Sequence, residues 1–417
     1  MGMIINIDTA LDNRTDYNIL REPINDMLQR TQEAWERQNP IDMLFSRGKI
    51  DKFLETYTSS IGFGQAFTET NDNAVAPIFN NHEGFSKVYT SRTFQGGFMI
   101  TQQVLEDQAY STVKDTANQF LKRWHGDIVD YAMTAISSGF GKQVDFGDGS
   151  LGPVSKLKLT SADTTDGDIH TETKNPLFCK THKTVKTETR AAISQSNIFA
   201  VSTDGSTNAG IDIIGDDPGK IAKLADIINQ VITIMENYKD DNGKFAGVLG
   251  AKTIVAPNDA RLKAAIETAL ETDQFPKYGM NGAYKRATLE TTPYLRDLAC
   301  CFDSTPGNQK GVGFFIVDKA YNAANHGPEF TERVALTMNV EQKKNPYGIS
   351  YDARQRFDIN VASWRGIAFV YIGTAAPTFT ASGDVTDFEL LTPIATIVKP
   401  VEVISSSANP IYTDEVS

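Results

Sequence analysis

Chemistry at a protein site needs nucleophiles, acids, bases or metal ligands held at short mutual spacing, and this chain groups few of them. Its five histidines, His82, His125, His170, His182 and His326, include no pair at metal-ligand spacing. His125 follows Trp124 in a helix-like stretch, where packing or exposure is the expected role. The three cysteines are Cys179, Cys300 and Cys301. The last two are adjacent, without the two-residue gap of a zinc knuckle, and three cysteines cannot build a disulfide framework. Cys179 and His182 stand three apart in a polar stretch, a constellation too small for a zinc site. Gly147-Asp-Gly149 and Gly311-Val-Gly313 lack the rest of a dinucleotide fingerprint, and neither GxxxxGK[ST] nor GxSxG occurs. The acidic pairs Asp216-Asp217 and Asp240-Asp241 suit a helix cap and a turn. No catalytic residue, cofactor or metal is expected. An α/β enzyme with a scattered site is the alternative of another class.

Two other sets of residues stand out for contact rather than catalysis. Lys343, Lys344, Arg354, Arg356 and Arg365 gather in the C-terminal third. They read either as solvated strand faces with ion pairs or as a zone of contact between subunits, where arginine pairs bidentately with carboxylates. Phe63, Phe67, Phe79, Phe85 and Phe94 punctuate a polar stretch whose sole lysine between 56 and 100 is Lys87. These phenylalanines are apolar anchors, either for a neighbouring subunit or for their own core.

The elements that must position these residues follow from periodicity. Val113, Ala117, Phe120, Trp124, Ile128, Tyr131 and Ala135 share one helical stripe within a long helix read over 99–140, with Gly139 as its stop. Residues 1–15 read as a mobile arm. A helix is predicted over 17–38, with Pro23 in its first turn and Asn39-Pro40 ending it. Residues 56–100 read as an extended two-stranded arm, with strand-like pieces at 64–70 and 85–94 and turn chemistry at Asn80, Asn81 and Gly84. Such a ribbon is barely stable alone, so it should rest on something else. The polar tract 139–214 has short β-like pieces at 154–159 and 197–202, and 160–170 is its most disorder-like part.

Residues 217–239 carry the clearest helical pattern, with Asp217 as cap, Pro218 in the first turn, and Ile221, Leu224, Ile228, Val231, Met235 and Tyr238 on one face. A turn at 240–243 follows, then a buried strand at 253–256. Asn258 is the predicted cap of a helix carrying Leu262, Ile266, Ala269 and Leu270. This order implies a compact α/β unit. Strands return at 313–317, 333–340, 348–358 and 366–373, before a tail over 377–417 with apolar pieces at 390–398 and 401–404.

Composition narrows the function classes. At 417 residues the chain can form two or three packing units, and 40% hydrophobic with 22% charged content is ordinary for a globular protein. No run approaches the roughly 18 apolar residues of a membrane span. The N-terminus has neither a basic start nor an apolar core, and Asn6 argues against myristoylation. The net charge of −12 argues against a dedicated nucleic-acid reader, while suiting a container that surrounds polyanion without gripping it. A soluble, intracellular protein is expected.

Three segments, in order, carry a family resemblance: MITQQVLEDQAY (99–110), TIVAPNDARLKAAI (253–266) and RFDINVASWRGIAFVYIG (356–373). Over about residues 40–373 the sequence resembles the major capsid proteins of tailed bacteriophages with the Hong Kong 97 fold. The resemblance implies an α+β chain divided into an N-terminal arm and helix (1–55), an extended β-hairpin loop (56–100) and a first peripheral part with a spine helix near 108–138 (101–214). An α/β axial domain (215–310), closing peripheral strands (311–373) and a C-terminal extension (374–417) follow. It further implies hexamers and pentamers closing into an icosahedral head around double-stranded DNA, without sequence-specific binding or a membrane. Portal and scaffold proteins and a decoration protein are the implied partners, and the virion is the implied location, after assembly in the bacterial cytoplasm. Some relatives cross-link their subunits through a loop lysine, for which Lys87 is the candidate position, but no residue evidence supports that reaction. An encapsulin-like compartment shell is the alternative use of the same fold.

Overall fold

The computed structural model describes residues 3–7, 15–52, 54–63, 81–107, 110–139, 144–145, 158–159, 177–184, 192–201, 218–241, 243–275, 279–295, 311–344, 347–373 and 389–391. Two sheets and four helices of two turns or more carry this α+β fold. The helices are α1 (Thr15–Arg37), α2 (Tyr110–Ser138), α3 (Pro218–Glu236) and α4 (Ala260–Glu271). Of the strands, β1 (Ile4–Ile7), β2 (Ser46–Lys49), β3 (Leu54–Phe63), β4 (Asn81–Thr90) and β5 (Arg92–Thr101) come first. After α2 come β6 (Ile198–Val201), β7 (Lys252–Pro257), β8 (Ala287–Thr292) and β9 (Gly311–Asp318). The chain closes with β10 (Glu329–Lys344), β11 (Tyr347–Asn360), β12 (Ile367–Gly373) and β13 (Glu389–Leu391).

The first sheet runs β1-β10-β11-β5, with β2 alongside β10. Its long strands β10, β11 and β5 are antiparallel, while β1 and β2 pair with β10 in parallel. The helix α2 lies across one face. Val113, Ala117, Trp124, Ile128, Tyr131 and Ala135 of the predicted stripe are buried, and Phe120 packs against the same core. At about 1.5–3 kcal/mol for each fully buried large side chain, that stripe is a main cohesive term. Polar atoms at the seam are matched: Trp124 Nε1 donates to Gln355 Oε1 at 3.1 Å, and Gln355 Nε2 donates to Glu332 Oε1 at 2.8 Å. The Tyr131 hydroxyl donates to Asp358 Oδ1 at 2.8 Å, and Arg92 pairs with the other oxygen at 3.1 Å. Ile24 and Leu28 of α1 are fully buried in the same core.

The second sheet runs β8-β7-β9-β12-β6-β13. Its central strands are buried along their length: Phe314 to Val317 and Ile367 to Ile372 are closed to solvent at every position. This is the pattern of strands covered on both faces. Leu224, Ile228, Val231 and Met235 of α3, with Leu262, Ile266 and Ala269 of α4, are buried in the same core. One buried ion pair ties this region together. Lys252 and Asp318 are 2% and 0% exposed, and Lys252 Nζ donates to Asp318 Oδ2 at 2.9 Å and to the carbonyls of Val248 and Gly250. Asp318 Oδ1 meanwhile accepts from Tyr321 N, capping the short helix that follows β9.

Several expectations are corrected. The long helix does not begin at 99: β5 occupies 92–101, Gln102–Glu106 makes a short turn of helix, and α2 starts at Tyr110. Alternating exposure along 92–97 and full pairing with β11 hold the segment as a strand. The N-terminal segment is not free throughout, since β1 adds to β10 and Ile5 packs on the core. Helix α1 starts at Thr15, so Pro23 sits in its interior, where it withholds one hydrogen bond. The strand read over 85–94 breaks at Ser91 into β4 and β5, which join different sheets. Asn81 and Gly84 lie inside β4 rather than in a turn, beside an irregular step in its ladder. The cap of α4 is Asp259, one residue later than expected, its Oδ1 accepting from Arg261 and Leu262 N. Most consequentially, 311–373 is not one set of closing strands: β9 and β12 belong to the α/β sheet, and β10 and β11 to the other. The piece at 197–202 is a sheet strand, β6, and 158–159 pairs with 144–145. Asp217, residues 64–70 and 160–170, Gly147 to Gly149, and the tail beyond Leu391 lie outside the described residues.

Removing one member of the buried Lys252–Asp318 pair strands a charge. Asp318→Ala is expected to lower the unfolding free energy by about 3–5 kcal/mol in denaturant titration. A loss under about 1 kcal/mol would mean that the pair behaves as a solvated one.

Candidate functional site

Among the described residues, the ribbon β3–β4 forms a two-stranded sheet of its own, apart from the two large sheets. Its ladder runs from Leu54 opposite Thr90 to Phe63 opposite Asn81, with irregular steps between Thr58, Ser60 and Gly62. Ten residues in each strand reach about 33 Å at the usual rise. The ribbon is fastened at its root. Tyr57 and Tyr89 lie on one face, and with Ile50 and Ala362 they form a small apolar cluster apart from the main core. Tyr57 packs on the His326 ring at 4.2 Å, and Tyr89 meets it edge-on at 6.3 Å. His326 holds a positive φ of 51°, and its carbonyl accepts from Ala362 N and Ser363 N, so the anchor is itself clamped to the segment after β11. On the opposite face, near the root, Leu54 is 52% and Val88 47% exposed.

The sequence-predicted contact residues divide around this ribbon. Phe63 ends β3, Phe85 lies in β4, and Lys87 pairs in register with Tyr57. Phe67 and Phe79 lie outside the described residues. Phe94 belongs to its own subunit: its ring stacks on Phe357 at 4.3 Å and meets Tyr131 edge-on at 5.5 Å.

The basic set divides likewise. Arg365 is buried, donating to Asp241 Oδ1 and to the Lys239 carbonyl, both at 3.0 Å, beside the Trp364 ring. It clamps the turn after α3 to the start of β12. Lys343 is exposed and pairs with Asp352 at 3.4 Å, and Lys344 ends β10 opposite Tyr347. Arg354 and Arg356 project from β11 on the face turned away from α2, close to Arg333, which sequence reasoning did not single out. Its sequence signal was indistinct, because Arg333 sits where the β10–β11 register shifts and strict alternation fails.

The buried histidines are structural. The His125 ring stacks on Trp35 at 4.6 Å and its Nε2 meets Gln32 Oε1 at 2.8 Å, joining α1 to α2. Burial lowers its pKa to about 4. His182 stacks on Trp364 at 4.2 Å with Nε2 near the Leu177 carbonyl and Asn197 Oδ1, and burial lowers its pKa to about 3. The Cys179 thiol contacts Thr181 rather than His182. A cleft of about 350 Å³ opens between α1, α2 and the first sheet, lined by Trp35, Glu36, Arg47, His125 and Glu332 among others. Burial raises the pKa of Glu332, whose carboxylate is held by Gln355. These groups are spent on one another. Among the described residues no three His, Cys, Asp or Glu side chains converge to hold a metal, and no helix is long and apolar enough to cross a membrane.

No protein-family model matches the chain, and no curated protein matches its sequence. Among solved structures it is similar to that of Mycobacterium phage Patience, with a TM-score of 0.45 and 10% identity over 90% of this chain and 94% of that one. It is also similar to the satellite phage P4 procapsid including the size determination protein, with a TM-score of 0.39 and 10% identity over 82% and 89% of the two chains. A virus-like particle from Pyrococcus furiosus matches with a TM-score of 0.39 and 9% identity over 86% of this chain and all 100% of that one.

Both buried histidines are neutral in the fold and charge more readily once unfolded, so acid favours the unfolded chain. Their contribution is complete above the ordinary histidine pKa near 6.5 and is lost as pH falls toward 4 and then 3. Each should contribute a slope of about 1.4 kcal/mol per pH unit in that window. The raised pKa of Glu332 works in the opposite sense, so the check is a comparison: His125→Gln is expected to flatten stability against pH between 6.5 and 4 relative to the parent.

Proposed function

We propose that this chain is a structural subunit of a closed icosahedral shell, a major capsid protein of the tailed-bacteriophage type, whose activity is self-association. The observation that carries this reading is the ribbon β3–β4. It is long, is fastened at its root, and carries exposed Leu54 and Val88 on the face turned away from that anchor. A ribbon of this kind is marginal in water and gains stability by lying on another surface. The longest helix supports the same reading, since its stripe is spent on packing and leaves no chemistry behind.

In this reading the sheet containing β7, β9 and β12, with α3 and α4, is the axial domain. The sheet containing β5, β10 and β11, with α2 as spine, is the peripheral domain. The ribbon laps a neighbouring copy within rings of five and six subunits. Portal and scaffold proteins, a decoration protein and double-stranded DNA held without sequence readout complete the set of partners. The finished particle is the virion, built in the bacterial cytoplasm. The role is structural rather than enzymatic. The buried histidines and the cleft carboxylate Glu332 already serve packing and internal hydrogen bonds.

Sedimentation and negative-stain microscopy test the reading on the purified chain, expressed alone and with a scaffold gene from its own locus. Shells or rings of five and six are expected, and a discrete monomer or dimer under both conditions would overturn it. Leu54→Asp with Val88→Asp is expected to leave the melting temperature within a few degrees of the parent while abolishing assembly. Both side chains are about half exposed, so the fold itself loses little by their replacement.

A further inference from the structure

Among the described residues, the face of the first sheet turned away from α2 carries an exposed Arg354 and half-exposed Arg333 and Arg356, none of them in an ion pair. Alternation along β11 sends Tyr351, Ala353 and Phe357 into the core and Arg354 and Arg356 to the other side. Across the ladder, Arg354 faces Gln95 and Thr337, and Arg356 faces Thr93 and Val334. None of these four neighbours is acidic. Arg333, at the register step of β10, brings a third guanidinium close enough for Arg333 and Arg354 to act on Arg356. The pKa of Arg356 is lowered by desolvation first and by those two positive charges next. Its Nε is shut off from solvent and has no hydrogen-bond acceptor. The two carboxylates flanking Arg354 and Arg356 along β11 are already engaged, Asp352 by Lys343 at 3.4 Å and the Ser350 hydroxyl at 3.1 Å, and Asp358 by Arg92 at 3.1 Å and the Tyr131 hydroxyl at 2.8 Å. Among the described residues, none of the three arginines makes an ion pair.

This is an electrostatic oddity in a chain with 52 acidic and 40 basic residues, where partners for arginine are abundant. Guanidinium groups that repel one another on one face are relieved by an anion that they can share. We infer that Arg333, Arg354 and Arg356 form a docking site for a carboxylate-bearing surface of a second copy of this chain. This deepens the self-association reading and rests on it. Arginine is the residue suited to the role, because its planar fork grips carboxylates with two parallel hydrogen bonds. The occupant is argued from charge complementarity. Each copy carries a net charge of −12, so the surface most available to such a face in an assembly is another copy's acidic one. Phosphates of DNA share the anionic chemistry, but the same net charge repels a polyanion as it approaches, and three arginines make a small footprint against that repulsion.

The test uses the full chain and two double variants, Arg354→Glu with Arg356→Glu, and Arg354→Gln with Arg356→Gln. Assembly is followed by sedimentation at low and high salt, folding by thermal melting, and duplex binding by fluorescence anisotropy with a short labelled DNA. The glutamate pair is expected to raise the concentration needed for assembly by about tenfold or more, with the glutamine pair between it and the parent. The parent alone should lose assembly as salt rises, and no form should bind the duplex. If the glutamate pair fails to fold, the glutamine pair decides. Variants that assemble like the parent would overturn the site while leaving the capsid reading intact. Duplex binding that the variants lose without change in assembly would overturn it in favour of phosphate. A parent chain that forms no oligomer would overturn the capsid reading and this site together.

Discussion

The burial of one helical stripe sets the terms for the rest of this molecule. Helix α2 is 29 residues long, about 43 Å at the usual rise, and its apolar residues need a surface of matching length. The first sheet supplies it. Phe94 of β5 and Phe357 of β11 present rings to Tyr131, and Phe98, stacked on Tyr351, presents its ring to Phe120, while Gly96 leaves room for the Trp124 indole. A side chain at Gly96 would place a carbon 3.2 Å from that ring, so the close approach of strand and helix depends on its absence. Helix α2 packs on one face of the sheet, and on the other face Thr93, Gln95 and Arg354 are exposed.

That division explains which polar groups are satisfied and which are not. On the α2 side the indole of Trp124, the amide of Gln355 and the carboxylate of Glu332 form a chain, and Asp358 is held by Tyr131 and Arg92. Unmade hydrogen bonds in a dry seam cost about 1–3 kcal/mol each, so the seam tolerates few. On the open side water can solvate a guanidinium, and the same pressure is absent. The Arg356 Nε on that face is shielded without a hydrogen-bond acceptor among the described residues. Polar order inside and charge imbalance outside are two results of one packing decision.

The legibility of the sequence follows the same line. Helices α2, α3 and α4 were readable from their stripes because a one-sided surface imposes a period of 3.6 on the residues that cover it. The strands 313–317 and 366–373 were readable as unbroken apolar runs for the opposite reason, being covered on both faces. What periodicity does not carry is partnership between distant segments. Nothing in GVGFFIVD or RFDIN says that β9 and β12 join β7 while β10 and β11 join β5, and so the closing strands were grouped as one. The break at Ser91 was hidden because β4 and β5 are both extended and differ only in what they pair with. Of the contact residues, Phe94 and Arg365 have the same types as their neighbours in the set. Only the three-dimensional course of the chain separates the Phe357 stack and the Asp241 pair from free surface.

The ribbon β3–β4 is where these considerations meet function. A subunit that completed its own packing would have no cause to associate, and one that exposed a large apolar face would aggregate without order. This chain does neither. It closes its core around α2 and the α/β sheet, then extends a ribbon whose root is held by Tyr57, Tyr89 and His326 and whose other face exposes Leu54 and Val88 near that root. Each such contact is worth little alone. In a closed symmetric assembly every copy both gives and receives the same contact, so small terms add around each ring and close without leaving a free end. Weak contacts also let a misplaced copy leave before it is locked in by its neighbours. In the proposed shell, a root clamped to its own core and individually weak contacts would together give a lattice strong in sum and correctable while it grows.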